Sequence, residues 1–99
     1  MKSRLIKWDK EPLSAFKAAI TYIRKKSLQN SEKVKEEILG KIDESASCPE
    51  IHPPDKWNSN KLLEIRAFEL HHFRVSYQVK EAELIIVRFR HTSQQPETY

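Results

Sequence analysis

Glycine is nearly absent from this sequence, and so is cysteine. The 99 residues contain one glycine, Gly40, and one cysteine, Cys48. A single glycine argues against a phosphate-cradling loop and against a turn-rich barrel, since both need several residues without side chains. A single cysteine excludes a disulfide within the chain and, without neighbouring ligands, a cysteine-based metal site. These features fit a reducing compartment, and we expect a cytoplasmic protein.

Long hydrophobic runs are also missing. No apolar stretch approaches the roughly 18 residues that a membrane-spanning helix needs, and residues 1–10 lack the apolar core of a secretory signal. Hydrophobic residues make up 38 % of the chain and charged residues 32 %, so we expect one domain, residues 1–99, with one modest core. The net charge of +4 permits a polyanionic partner without requiring one.

The first half of the chain has a helical pattern. Arg4–Trp8 alternates like a short strand, and Asp9 follows as a helix cap with Pro12 in the first turn. An apolar stripe at helical spacing comes next and ends near 24–27, and a second stripe follows a restart at Asn30 or Ser31. The stripes consist of Leu13, Phe16, Ile20 and Ile23, and of Val34, Ile38 and Ile42. Together they predict a helical hairpin.

The second half has the alternation of strands. Cys48–Asn60 holds three of the five prolines and is predicted to be a loop. Leu62–Phe68, Phe73–Lys80 and Leu84–Phe89 follow as three strands with short links. The order β-α-α-β-β-β separates helices from strands. It predicts an α+β fold in which the hairpin packs on one face of a small antiparallel sheet.

Alternation also places the charges of these strands. If Ile65, Val75 and Val87 face the helices, four arginines line the open face of the sheet: Arg66, Arg74, Arg88 and Arg90. Guanidinium groups bind phosphate and carboxylate well, so this face is a candidate anion or nucleic-acid surface. The alternative is an ordinary solvated face on which Glu64 and Glu83 pair with the arginines.

Three of the four histidines lie within or beside the predicted strands. His71 and His72 fit a turn between two strands, and their spacing does not match a zinc site, so we expect no metal and no cofactor. His91 follows Arg88 and Arg90, where it could act as an acid or a base or have a structural role. No serine or cysteine has the context of a catalytic triad.

Four segments resemble the RelE/ParE superfamily of bacterial type II toxins. They are AAITYIRKKSLQNSEKVKEEILGKIDES, CPEIHPPDKW, RAFELHHFRVSYQV and IIVRFRHTS, and the similarity covers about residues 5–99. Members of this superfamily are encoded with an antitoxin that neutralises them, in plasmid stabilisation or addiction modules. The resemblance therefore implies a toxin that arrests growth, an antitoxin partner, and a fold of two helices on a small antiparallel sheet.

The resemblance implies two possible mechanisms. RelE-like members cleave mRNA in the ribosomal A site without a metal, whereas ParE-like members inhibit DNA gyrase. For the nuclease, Arg74 would stabilise the scissile phosphate, with His91 and Tyr99 as catalytic candidates and Arg66, Arg88 or Arg90 as further cations. Ser93 and Gln94 stand where that branch has basic residues, and the helix AAITYI and the ending RHTS are more ParE-like.

The sequence leaves the choice between these mechanisms open. A nuclease would depend on Arg74, Arg88 or Arg90, whereas a gyrase inhibitor would depend on exposed helix positions such as Arg24, Lys25 and Lys26. A further alternative is a non-catalytic or degenerate toxin-fold protein that acts only through its antitoxin complex.

Overall fold

The computed structural model describes residues 3–93, and in this part of the chain the elements follow the predicted order. Strand β1 spans Leu5–Trp8, and helices α1 and α2 span Lys10–Lys26 and Leu28–Ser47. A single 3₁₀ turn, Pro49–Ile51, precedes strands β2, β3 and β4, which span Ile65–Leu70, Phe73–Val79 and Glu83–His91. Two helices on a four-stranded sheet confirm the α+β class.

A single residue, Ser27, joins the two helices. Its backbone N–H donates to the carbonyl oxygen of Ile23 (2.9 Å) and closes α1, while its hydroxyl accepts from the N–H of Asn30 (3.1 Å) and caps α2. The second helix therefore begins at Leu28, earlier than the predicted restart at Asn30 or Ser31. Leu28 and Gln29 are both exposed, so the apolar stripe gives no sign that the first turn includes them.

The sheet has the order β1-β4-β3-β2 and is mixed, not wholly antiparallel as predicted. Strands β2, β3 and β4 form an antiparallel meander, but β1 runs parallel to β4, with Leu5 opposite Glu83 and Trp8 opposite Ile86. The helical hairpin returns the chain to the start of β1, where the N–H of Arg4 donates to the carbonyl of Ala46 (3.0 Å). Alternation of apolar residues gives no strand direction, so the sequence could not reveal this parallel pair.

The core lies between the helices and one face of the sheet. Phe16 of α1 packs between Trp8 (ring centroids 5.1 Å apart) and Phe89 (5.3 Å). The largest fully buried apolar side chains come from α2 and the central strands: Ile38, Ile42, Val75, Tyr77, Leu84 and Ile86. Both predicted helical stripes contribute to this core, which supplies most of the fold's hydrophobic stabilisation.

The prediction of which side of β2 faces the helices is wrong. Phe68 packs in the helix-facing core, whereas Ile65 and Ala67 lie on the opposite face of the sheet. Val87 also departs from the prediction, because it is the extra residue of a bulge: Ser76 pairs with Arg88 and Tyr77 with Ile86. Because both faces of β2 carry buried apolar residues, the sequence pattern does not show which face meets the helices.

Candidate functional site

Residues 52–64, called the strap from here on, cover the face of the sheet that the helices leave open. The N–H of Asp55 donates to the carbonyl of Ile65 (2.8 Å), and the N–H of Ala67 donates to that of Pro53 (3.3 Å). The strap therefore pairs with the outer edge of β2, which would otherwise be an unprotected sheet edge. The open face predicted from the sequence is in part a covered one.

Asp55 is the central side chain of the strap. Its carboxylate is fully buried and reaches across β2 to β3, where it accepts from Arg74 Nη2 (2.7 Å) and Ser76 Oγ (2.8 Å). It also accepts from the backbone N–H of Trp57 (3.0 Å), which closes a local turn. A buried carboxylate needs this number of donors, because an unpaired charge in the interior is costly.

Arg74 is already engaged on both terminal nitrogens. Besides the contact with Asp55, its Nη1 donates to Glu69 Oε2 (2.9 Å), and only 13 % of the side chain is exposed. Burial disfavours the charged guanidinium, but the hydrogen bonds and charges of Asp55 and Glu69 outweigh it and raise the pKa of Arg74 above its ordinary value. Arg74 is thus held as a structural cation inside the protein.

Arg88 and Arg90 share the face of Arg74, as predicted. Arg90 lies opposite Arg74 in the ladder, and Arg88 lies opposite Ser76. The Nη1 atom of Arg90 is buried and has no hydrogen-bond partner among residues 3–93. Two arginines directly opposite each other repel, so the carboxylates around Arg74 offset part of that cost.

Arg66 does not join this group. It pairs with Tyr77 in the ladder and therefore lies on the helix side of β2, at the edge of the sheet. Its guanidinium donates to Glu64 (3.0 Å) and to the backbone carbonyl of His52 (2.7 Å). The prediction that Arg66 lines the same face as Arg74 is wrong. The two faces of β2 were exchanged in the prediction, which also misplaced Ile65. The predicted pairing of Glu64 with one of the arginines is present here.

His91 is also separated from Arg74. It lies opposite Phe73, on the other side of the sheet from Arg74 and Arg90, and its ring stacks near His72 (6.1 Å). Its Nδ1 atom contacts the hydroxyl of Ser93 (2.7 Å). Tyr99, the third catalytic candidate, lies outside the described residues. Within residues 3–93, the structure does not bring the catalytic candidates together around one point.

His71 and His72 occupy the turn between β2 and β3, as predicted. Both have positive φ, 53° and 69°, which is typical of a type I′ hairpin turn. His71 Nε2 also contacts Glu37 of α2 (2.6 Å) and ties this turn to the helices. No group of three or more His, Cys, Asp or Glu side chains within residues 3–93 is placed to hold a metal ion.

A second feature of the surface is the hairpin tip, residues 22–28, where the helices meet. The last turn of α1 carries three exposed cations, Arg24, Lys25 and Lys26. Two large side chains, Tyr22 and Leu28, are each 61 % exposed beside them, and Lys26 Nζ lies 4.8 Å from the centre of the Tyr22 ring. Of these side chains, Tyr22 and Arg24 are of the types that are enriched at protein interfaces.

Asp55 is the site residue that the sequence did not single out. The segment PPDKW contains a local signal, since an Asp after prolines commonly accepts from the N–H two residues on. That signal predicts the turn but not the buried pair with Arg74, which lies 19 residues further along the chain. The missing information was the position of the strap.

Fold and surface together define a small α+β protein with a covered arginine face and an exposed basic hairpin tip. The family described as "ParE toxin of type II toxin-antitoxin system, parDE" matches residues 6–96. The chain therefore belongs to this family of toxins, which confirms the resemblance drawn from the sequence, and membership implies an antitoxin partner. No curated protein matches the chain. Neither described helix has an apolar stretch able to cross a membrane.

Proposed function

We propose that this toxin arrests growth by binding its target rather than by cleaving RNA, and that the target is DNA gyrase. Metal-free RNA cleavage needs cations at the phosphate, a base for the 2′-hydroxyl and an acid for the leaving oxygen, all around one point. A binding toxin needs only an accessible surface that complements its target. The described part of this chain meets the second requirement better than the first.

The observation that carries the proposal is the state of Arg74. Its Nη2 atom is bonded to the buried Asp55 and its Nη1 atom to Glu69, so a phosphate would have to displace one of these two carboxylates to reach a terminal nitrogen. His91 lies on the other side of the sheet and could not act on a group bound at Arg74. Membership of the ParE toxin family supports gyrase as the target, because ParE-like toxins inhibit that enzyme.

The hairpin tip is the surface that we assign to target binding. Cations stabilise the carboxyl end of α1, but Ser27 places them equally close to the amino end of α2, where positive charge is unfavourable. The first turn of α2 carries no acidic residue, and Glu32, further along the helix, lies 3.6 Å from Arg24 in an exposed ion pair that adds little stability. This clustering contributes little to stability, and it creates a basic surface suited to an acidic patch on a protein.

Expression of variants in cells tests the proposal. The tip variant Arg24→Glu, Lys25→Glu, Lys26→Glu reverses three charges, and we expect it to lose growth arrest. The control variant Lys10→Glu, Lys56→Glu, Lys80→Glu makes the same change in net charge at exposed positions elsewhere and should still arrest growth. Primer extension of messages from the arrested cells should show no new cleavage.

Two results would contradict the proposal. Cuts at ribosomal A-site codons in cells that express the unaltered chain would favour the nuclease mechanism, with Arg88 and Arg90 as its cations. Failure of the unaltered chain to arrest growth in the absence of antitoxin would favour a degenerate toxin that acts only through its antitoxin complex.

A further inference from the structure

The contacts of Asp55 have the chemistry of an occupied anion site. We propose that Arg74, Ser76 and Arg90 form an oxyanion pocket that the chain fills with its own Asp55 carboxylate, so that a phosphate group enters only when the strap lifts. This inference concerns the sheet and is independent of which target the hairpin tip binds.

The donors around Asp55 are those of a phosphate site. A guanidinium nitrogen, a hydroxyl and a backbone N–H all point at one carboxylate, at 2.7, 2.8 and 3.0 Å. Guanidinium, hydroxyl and backbone N–H groups are also the usual donors to phosphate oxygens. Two of these donors, Arg74 and Ser76, belong to β3 and would stay in place if the strap moved.

Arg90 provides a second cation beside the pocket. It lies opposite Arg74 on the same face, and its buried Nη1 atom has no hydrogen-bond partner among residues 3–93. A buried donor without an acceptor is costly, so this atom marks a place where a further oxygen would be stabilised. A carboxylate has two oxygens, whereas a phosphate has enough to reach Arg74 and Arg90 together.

The pocket is closed by an intramolecular ligand. The strap is attached to the sheet edge by two backbone hydrogen bonds, from Asp55 to Ile65 and from Ala67 to Pro53, so the effective concentration of the Asp55 carboxylate at Arg74 far exceeds that of a free anion in solution. Wild-type protein should therefore bind phosphate poorly at this face. Removing the carboxylate takes away the acceptor that Arg74 Nη2 and Ser76 Oγ share, which destabilises the protein but opens the pocket to an external anion.

The test is rescue of the Asp55→Ala variant by inorganic phosphate, followed by circular dichroism during thermal unfolding. We expect Tm to rise saturably, by about 5 °C or more at phosphate about tenfold above Kd. If the variant is unfolded without phosphate, we expect phosphate to restore the fold. Circular dichroism therefore reports phosphate binding whether or not the variant folds on its own. Asp55→Ser, which keeps a polar side chain, provides a second background for the same titration.

Matched variants separate binding from general salt effects. Sulfate and phosphate stabilise all proteins slightly, so the wild type and Glu64→Ala, which removes the carboxylate beside Arg66, set the baseline at equal ionic strength. Adding Arg90→Gln to Asp55→Ala should raise the Kd for phosphate about tenfold, since a charge-assisted hydrogen bond is lost. A parallel titration with a thymidine tetranucleotide distinguishes a phosphodiester ligand from free phosphate, and rescue by either supports the pocket. Equal responses of Asp55→Ala, Asp55→Ser and Glu64→Ala to both anions would overturn the proposal.

Discussion

At the scale of single residues, the contacts of Arg74 carry the proposal that this toxin binds its target rather than cleaving RNA. Alternation correctly placed Arg74, Arg88 and Arg90 on one face, because strand geometry alone fixes that relation. It could not show that Arg74 is bonded to a buried carboxylate, since that contact depends on a loop with no periodic pattern. The arginine most attractive as a catalytic group is the one most firmly bound within the protein.

The pair of Asp55 and Arg74 should make a large contribution to stability. Replacing Arg74 with Gln leaves a buried carboxylate without its counter-ion, and we expect the free energy of unfolding to fall by about 3–5 kcal/mol. Urea unfolding of Arg74→Gln, Asp55→Asn and the double variant gives the coupling energy. Glu69→Gln is the control: Glu69 is 57 % exposed, so its loss should cost about 1 kcal/mol or less. Additive effects of Arg74→Gln and Asp55→Asn would contradict this account.

His52 should make stability depend on pH. Its ring packs against Phe68 (4.9 Å) and Tyr77 (6.2 Å), and burial, assisted by the charge of Lys41, lowers the pKa of the imidazole below its ordinary value of 6.5. The unfolded chain therefore binds more protons just below pH 6.5. The stabilisation is complete above that pH and is lost as the pH falls through the folded-state pKa.

The variant His52→Phe keeps an aromatic ring and removes this titration. We expect its free energy of unfolding, measured in urea from pH 7 down to pH 5, to fall less steeply than that of the wild type. Parallel pH profiles for the two proteins would show that His52 does not titrate differently in the folded and unfolded states.

At the scale of secondary-structure elements, the sequence was informative where burial is one-sided. Both helices and all four strands were predicted, because their apolar residues recur at the period of each element. Two side-chain orientations were predicted wrongly. In β2 the strap buries the outer face as well, and in β4 a bulge shifts Val87. A one-residue offset exchanges the two faces of a strand, so these local features move whole side-chain sets.

The turn between β2 and β3 stores backbone strain. Its two histidines adopt positive φ, which costs a residue with a side chain roughly 1 kcal/mol relative to glycine. We expect His72→Gly to raise the free energy of unfolding by about that amount in urea unfolding. His71→Gly should gain less, because His71 also contacts Glu37. A loss of stability in His72→Gly would show that its stacking with His91 outweighs the strain.

At the scale of the whole molecule, two surfaces differ in how far their charged side chains are exposed to solvent. The strap covers part of the sheet face, and Asp55 and Glu69 compensate the charge of Arg74 there. The hairpin tip instead exposes three cations and two large side chains without a covering element in the described part of the chain. The sequence alone identified the cations of the tip. It could not identify the exposure of Tyr22 and Leu28, since both also fit the edge of an apolar stripe.

The measurement that most directly tests binding to gyrase is supercoiling of relaxed plasmid by purified DNA gyrase, with the toxin added over a range of concentrations. We predict that the wild-type chain inhibits supercoiling and that the tip variant Arg24→Glu, Lys25→Glu, Lys26→Glu needs at least about tenfold more protein, the effect of losing roughly 1.4 kcal/mol of binding. The control variant Lys10→Glu, Lys56→Glu, Lys80→Glu should match the wild type. Undiminished supercoiling by a folded chain that arrests growth in cells would contradict the account.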